Sequence, residues 1–296
     1  MIEGSQPGRA AAASDDLKGR IVAFMRGAST EITPSEEGRL GELAAVLPPG
    51  AAVYVAHTPN AAFTQVIHAA LAVRRAGFLA TPHIAVRRVP DSRTLRAGLE
   101  ELRAGGVEHI LLIAGDAARP VGEYSSTLDV LRSGVLQQCG IAHIGIAGHP
   151  EGHNAVADEV LWEALAAKQA MAPCTGAGMH IVTQFGLDGG AFLSWRRELV
   201  RRRIHLPVRI GIAGPAPLAK LMHFAFQCGI GPALRAAVRT AGAAAQTSDR
   251  ATSPDQHLIT LLRVPVSAQI VAPHFFAFGG AMQTAQGMRR IAACEY

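Results

Sequence analysis

Ser29-Thr30-Glu31-Ile32-Thr33-Pro34 is the stretch that decides between two folds. It closes the first Val/Ile/Ala-rich run of the chain, and an open dinucleotide-binding sheet would place a Gly-rich turn directly after such a strand. Here a Glu and a Pro follow instead, with no G-x-G-x-x-G. Outward from this point, short apolar runs recur at Val53–Thr58, Phe78–Val86, His109–Asp116, His143–Gly148, His180–Leu187, Val208–Gly214 and Gln269–Phe278. With Ser29–Thr33 they make eight. Several are apolar throughout, as parallel strands buried on both faces require. Amphipathic segments separate them. Asn60 is placed to cap a helix carrying Phe63, Val66, Ile67, Ala70 and Leu71 on one face, and Ser92 or Thr94 precedes Leu95, Leu99 and Leu102. Eight strands alternating with helices predict a single α/β domain, a (β/α)8 barrel over residues 19–296. Residues 1–18, rich in Ala, Ser and Gly, read as a flexible N-terminal lead. An extra helical segment is expected at Pro232–Leu262 before strand eight, with a mobile loop at Thr240–Ser253.

Of the 296 residues, 49% are hydrophobic and 17% charged, which excludes a disordered chain. The net charge of +5 favours anionic ligands. Only 5% of residues are aromatic, and no basic block is interleaved with aromatics, so nucleic acid is not expected as a partner. Arg201-Arg202-Arg203 reads as a solvated helix face. Cysteines 139, 174, 228 and 294 form no C-x-x-C pair, which fits reduced thiols in a cytoplasmic protein. No apolar run reaches the ~18 residues of a membrane span. A homo-oligomer is left open.

A barrel runs its chemistry at the carboxyl ends of its strands. That rule sends His109, His143 and His180, which open their strands, to the stability face. It selects Glu31, His57, Thr58, His83, Asp116, His149, Glu151, His153, Gln184 and His274 as the polar set at the productive end. Glu31 lies early in an apolar strand, where desolvation would raise its pKa and suit it to donate a proton. Asp116 follows Gly115 and can meet the amides of Ala117 and Ala118, which would keep it ionised.

In series, these motifs resemble the methylenetetrahydrofolate reductase family. Thr30-Glu31-Ile32-Thr33-Pro34 is similar to its first strand, and Pro82-His83 to its third. Ala114-Gly115-Asp116 resembles its Gly-Asp ending, Pro150-Glu151-Gly152-His153 its Pro-Glu-x-His turn, and Thr183-Gln184-Phe185 with Asp188 its Thr-Gln-Phe strand. The match spans roughly residues 28–230. It implies reduction of 5,10-methylenetetrahydrofolate by NADH or NADPH through a flavin, FAD, with a tetrahydrofolate and a nicotinamide dinucleotide as partners. Glu31 would protonate the folate ring nitrogen, and Asp116 would support the iminium cation. Gln184 would bind the pterin edge and Phe224 would stack on folate or nicotinamide. His57, Thr58, His83, Gly115, Asp116, His149, His153 and Lys168 would line the cofactor. The departures fall mostly on flavin contacts. Ala114 stands for an Arg, His149 for an aromatic, and Leu161, Ala164 and Ala167 for polar groups, leaving Lys168 on that helix. Gly279-Gly280 replaces a folate-pairing Arg. A direct hydride transfer from NAD(P)H is therefore one expectation. Two rival readings stay open. One is a metal-dependent hydrolase using His57, His83, His149, His153 and His274, although the motifs as a whole assign no metal. The other is a non-catalytic folate or flavin binder.

Overall fold

The computed structural model describes residues 7–186, 189–227 and 269–295. Helix α1 (Pro7–Met25) leads into β1 (Ser29–Ile32), a 3-10 turn (Pro34–Arg39) and α2 (Leu40–Ala44). Then follow β2 (Ala52–Val55), α3 (Phe63–Arg75), β3 (Leu79–Ala85), a second 3-10 turn (Val86–Arg88) and α4 (Ser92–Ala104). The middle of the chain forms β4 (His109–Ile113), α5 (Thr127–Ser133), α6 (Val135–Gln138), β5 (His143–Gly148) and α7 (Asp158–Thr175). After it come β6 (Gly178–Gly186), α8 (Gly189–Arg201), β7 (Val208–Ala213), α9 (Leu218–Gln227), β8 (Ile270–Phe276) and a final helix, α10 (Ala281–Ala292). The strands pair in parallel in chain order, and β8 closes onto β1. All eight expected strands are present and the barrel is the fold. The segment expected at Pro232–Leu262, its loop at Thr240–Ser253, Cys228 and Asp188 lie outside the described residues.

Two local expectations are corrected. Of the lead expected over residues 1–18, residues 7–18 belong to α1. A Pro at the first position and the run Ala10–Ala13 supply helix propensity that a composition reading undervalues, and Ile21, Phe24 and Met25 then bury one face. Asn60 does not cap α3, because that helix begins at Phe63 and its free backbone N–H at Ala62 is met by Gln65 Oε1 at 2.8 Å. For α4 the cap is Asp91, which accepts from the Thr94 N–H at 2.7 Å.

Register sorts the strand residues into two faces. Val53, Val55, Ile84, Ile110, Leu112, Ile144, Ile146, Ile181, Ile210 and Ile212 join the large core shared with the helices. Each such side chain contributes about 1.5–3 kcal/mol on burial. The lumen is built differently. Tyr54, Leu111 and Val182 form a small separate cluster there. Pairing sets Glu31 beside Tyr54, Ser29 beside Ala52 and His274, Thr81 beside Tyr54, and His83 beside Leu111. A barrel interior is ordinarily filled by branched aliphatic residues. Here it holds buried Ser29, Glu31, Thr81, His83 and His274. Burying that much polarity is costly unless the groups are partnered, so the lumen is where function is sought.

Candidate functional site

Glu31 sits third in β1, withdrawn from water at 8% exposure. Its Oε1 accepts a hydrogen bond from the Ala277 N–H at 3.3 Å, just beyond β8. Burial pushes its pKa up to about 8, the Ala277 bond opposing and the nearby Glu36 carboxylate reinforcing the shift. Loss of water favours the protonated form of a carboxyl placed so. His83 from β3 and His274 from β8 face the same carboxyl, their Nε2 atoms 4.0 and 3.9 Å from Glu31 Oε2. Burial pushes the His83 pKa down to about 3, with His57 adding to the effect, and holds His274 well below the ordinary range. Burial thus disfavours the charged form of both rings. Tyr54 packs against them, its ring 5.8 Å from that of His83 and 4.5 Å from that of His274.

His57, two residues past β2, is also buried, and its pKa falls to about 4 through desolvation and then the Arg88 charge. Its Nδ1 accepts from the Ala85 N–H at 3.3 Å, so the ring ties the ends of β2 and β3 together. Thr58 stands apart from it in a cleft of about 410 Å³ with Thr33, Pro34, Asn60 and Gln65. Gly115 takes φ +85°, and a Cβ there would meet the Ala85 side chain at 2.9 Å. Only glycine allows β4 to turn so close to β3. That turn delivers Asp116 to Arg88, whose Nε and guanidinium NH2 donate to Oδ1 at 3.0 and 2.6 Å.

Arg88 is a residue the sequence reading passed over. An arginine is absent at Ala114, yet the 3-10 turn after β3 supplies one to the same Asp from the neighbouring strand. Arg87 stands beside it, its backbone N–H bonded to the Ala114 carbonyl at 3.1 Å. The adjacent pair Arg87-Arg88 immediately after a strand was the available signal.

A second group lies at the end of β5. His149 and His153 meet edge to face, with ring centroids 5.9 Å apart. Desolvation lowers the His149 pKa to about 3, and Lys168, reaching in from α7, adds to that shift. Burial brings Lys168 itself down to about 8. His153 is lowered by partial burial and then by Arg87. Its Nδ1 accepts from the Ala155 N–H at 3.2 Å. Leu161 lines a cleft of about 270 Å³ with His149, Trp162, Leu165, Ser194 and Trp195. Of the five histidines considered as metal ligands, His83 and His274 come together, whereas His149 and His153 belong to this other group.

Gln184 lies within the register shift between Val182 and Phe185 in β6. It lines a pocket of about 10 Å³ with Glu151, Phe192 and Gly211. Phe224 on α9 stacks on Phe278, ring centroids 4.4 Å apart at 17°. One face of the Phe224 ring is thus covered by the chain itself.

No known family profile matches the sequence. An uncharacterized protein from Clostridium thermocellum that binds two copies of 5-methyl-5,6,7,8-tetrahydrofolic acid is similar in structure. The match covers 93% of this chain and 97% of that one, with a TM-score of 0.59 at 12% identity. Dihydropteroate synthase from Thermus thermophilus in complex with 6HMPPP aligns over 90% of each chain, with a TM-score of 0.47 at 13% identity. The first of these likenesses establishes the shared barrel fold. Among the described residues, no helix is long and apolar enough to cross a membrane.

Proposed function

We propose that this barrel binds a reduced folate at its carboxyl-terminal mouth and reduces 5,10-methylenetetrahydrofolate to 5-methyltetrahydrofolate with NADH or NADPH. The observation that carries the reading is the buried Glu31 carboxyl, held by one backbone N–H on the lumen face. In the reaction a hydride leaves the nicotinamide and forms a C–H bond at the methylene carbon, while the bond from that carbon to the ring nitrogen breaks. The nitrogen needs one proton, and Glu31 is the group positioned to supply it. Asp116 would hold negative charge near the cationic iminium, with Arg88 fixing its orientation. The motif series around Glu31, Asp116 and Gln184 supports the folate assignment, as does methyltetrahydrofolate binding by a protein of the same fold.

FAD fits the residues poorly. The α7 face that would meet it presents Leu161 in a cleft with Trp162 and Leu165, and Ala114 offers only its backbone. The reading therefore takes hydride directly from the nicotinamide. Arg87, Arg88 and Lys168 provide the cationic groups that a dinucleotide pyrophosphate would need. The test is turnover of 5,10-methylenetetrahydrofolate by the purified full chain with NADH and with NADPH, product read by mass spectrometry. Methyltetrahydrofolate formed without added flavin is the expected result. No product with either nucleotide, with or without FAD, overturns it.

A further inference from the structure

Three donors on strands far apart in sequence converge on one point in the lumen. Glu31 on β1, His83 on β3 and His274 on β8 each bring one ligand atom to within 4.8 Å of the others, and all three residues are buried. The gaps of 3.9 and 4.0 Å from Glu31 Oε2 are too long for hydrogen bonds. Both imidazole Nε2 atoms are buried and, among the described residues, have no hydrogen-bond partner. A buried polar atom left unpaired costs about 1–3 kcal/mol. Two of them aimed at one carboxyl call for a ligand that satisfies both.

The surroundings of His274 set its ring for that task. Its Nδ1 lies 2.9 Å from Ser29 Oγ. The Ser29 hydroxyl in turn has the Pro273 carbonyl as an acceptor, at 3.4 Å. In the tautomer with the proton on Nδ1, that hydroxyl accepts the Nδ1–H while donating to Pro273, and the Nε2 lone pair is bare. Metal-bound histidines are oriented in this way, through a hydrogen bond from the other ring nitrogen. Glu31 is steadied likewise, its Oε1 taking the Ala277 N–H while Oε2 faces the imidazoles.

We propose that Glu31 Oε2, His83 Nε2 and His274 Nε2 form a binding site for a divalent transition-metal ion. Two imidazoles and one carboxylate suit zinc, cobalt or ferrous iron, whereas magnesium and calcium take oxygen ligands. Bonds of about 2.0–2.2 Å to a tetrahedral ion set donors roughly 3.3–3.6 Å apart. The two gaps to Glu31 Oε2 close to that spacing by movements of about half an ångström. Three protein donors leave a fourth position for water or a ligand, the arrangement of reactive rather than purely structural sites. The inference stands apart from the reductase reading and constrains it. An ion on Glu31 replaces the proton which that reading uses, so the two occupants are alternatives at one carboxyl.

The test uses the full chain, stripped by chelator and free of folate and nucleotide, titrated with Co²⁺ alone. One equivalent should bind with micromolar or tighter affinity and give visible ligand-field absorption. His83→Phe, which keeps the ring shape without its nitrogens, should weaken binding at least on the order of 100-fold. Ser29→Ala should weaken it by roughly 10–100-fold, the usual loss for a group that orients a ligand. Melting curves of both variants establish that each is folded, and Ser29→Ala answers the question alone if His83→Phe is not. Absence of saturable Co²⁺ absorption in the wild-type chain overturns the proposal. So does binding that a folded variant leaves unchanged, since the ion would then lie elsewhere. Because no substrate is present, failure here leaves the reductase reading standing, and an inactive reductase that binds Co²⁺ in this pattern leaves the metal site standing.

Discussion

Replacing Glu31 by Gln exchanges one oxygen for an NH2 group and removes the proton that the folate nitrogen would receive. The change is small for the fold. The amide Oε1 keeps the Ala277 N–H, at 3.3 Å in the wild-type chain. The new Nε2 stands where Oε2 lies 3.9 and 4.0 Å from two imidazole nitrogens, so a shift of about 1 Å brings it within bonding range of one. A neutral hydrogen bond gained or lost is worth about 0.5–1.5 kcal/mol. In a domain of this size that moves the melting temperature by only about 1–6 °C. The chemistry changes far more, because loss of a positioned acid lowers a rate ~10²–10⁴-fold, about 2.7–5.5 kcal/mol of barrier. The two effects separate cleanly. Steady-state turnover with saturating methylenetetrahydrofolate and nicotinamide gives kcat, calorimetry gives the folate Kd, and a thermal melt reports folding. The expected outcome is a near-native melt, a folate Kd within a few-fold of wild type, and kcat down by at least about 100-fold. A kcat within about threefold of wild type, under 1 kcal/mol, refutes the assignment of Glu31 as the acid.

Gln184→Ala should raise KM for the folate with kcat little changed, since a pterin edge without its partner loses about 1–3 kcal/mol; an unaltered KM removes Gln184 from folate recognition. Gly211→Ala should destabilise the barrel by about 1–3 kcal/mol or more, because the new Cβ would lie 2.4 and 2.5 Å from the Thr183 and Gln184 carbonyl oxygens. Chemical denaturation reads that loss, and a wild-type midpoint would show that the β6–β7 contact yields freely. FAD titrated into the purified chain should bind no tighter than micromolar, and a sub-micromolar constant in calorimetry would show that other residues replace the missing contacts. Stability should also fall in mild acid. Burial holds His109 at about 4 and His180 at about 3 in the folded chain, against 6.5 for an unperturbed ring. The unfolded chain then binds more protons between those values. Stability from these groups is present above pH 6.5 and is lost as pH falls toward 3, with a slope of at most about 1.4 kcal/mol per pH unit for each histidine. Urea midpoints equal at pH 7 and pH 5 would contradict it.

What the sequence alone determined is the strand count and the identity of the polar residues near the strand ends. A strand buried on both faces must be apolar nearly throughout, and that is legible in runs such as His109–Asp116 and Val208–Gly214 without any partner in view. The rule that barrels react at their carboxyl ends then singled out Glu31, His83 and His274. Element boundaries were less legible. The polar caps Asn60 and Ser92 read as signals in the sequence, whereas Gln65 and Asp91 make the capping bonds, because caps depend on where the preceding loop leaves its backbone N–H groups. Only the tertiary structure decided which of the strand-end residues meet. Closing β8 onto β1 brings His274 to Ser29 and Glu31 across more than two hundred residues of chain, and no local pattern encodes that register. Closure also sends His149 and His153 to a separate site on β5. It lets Arg88 serve Asp116 from the neighbouring strand, where a motif comparison along one strand saw only a missing arginine at Ala114. The protonation of Glu31 belongs to the fold in the same way. Its shift comes mainly from loss of water around the carboxyl, a property of everything packed about it and not of its sequence neighbours.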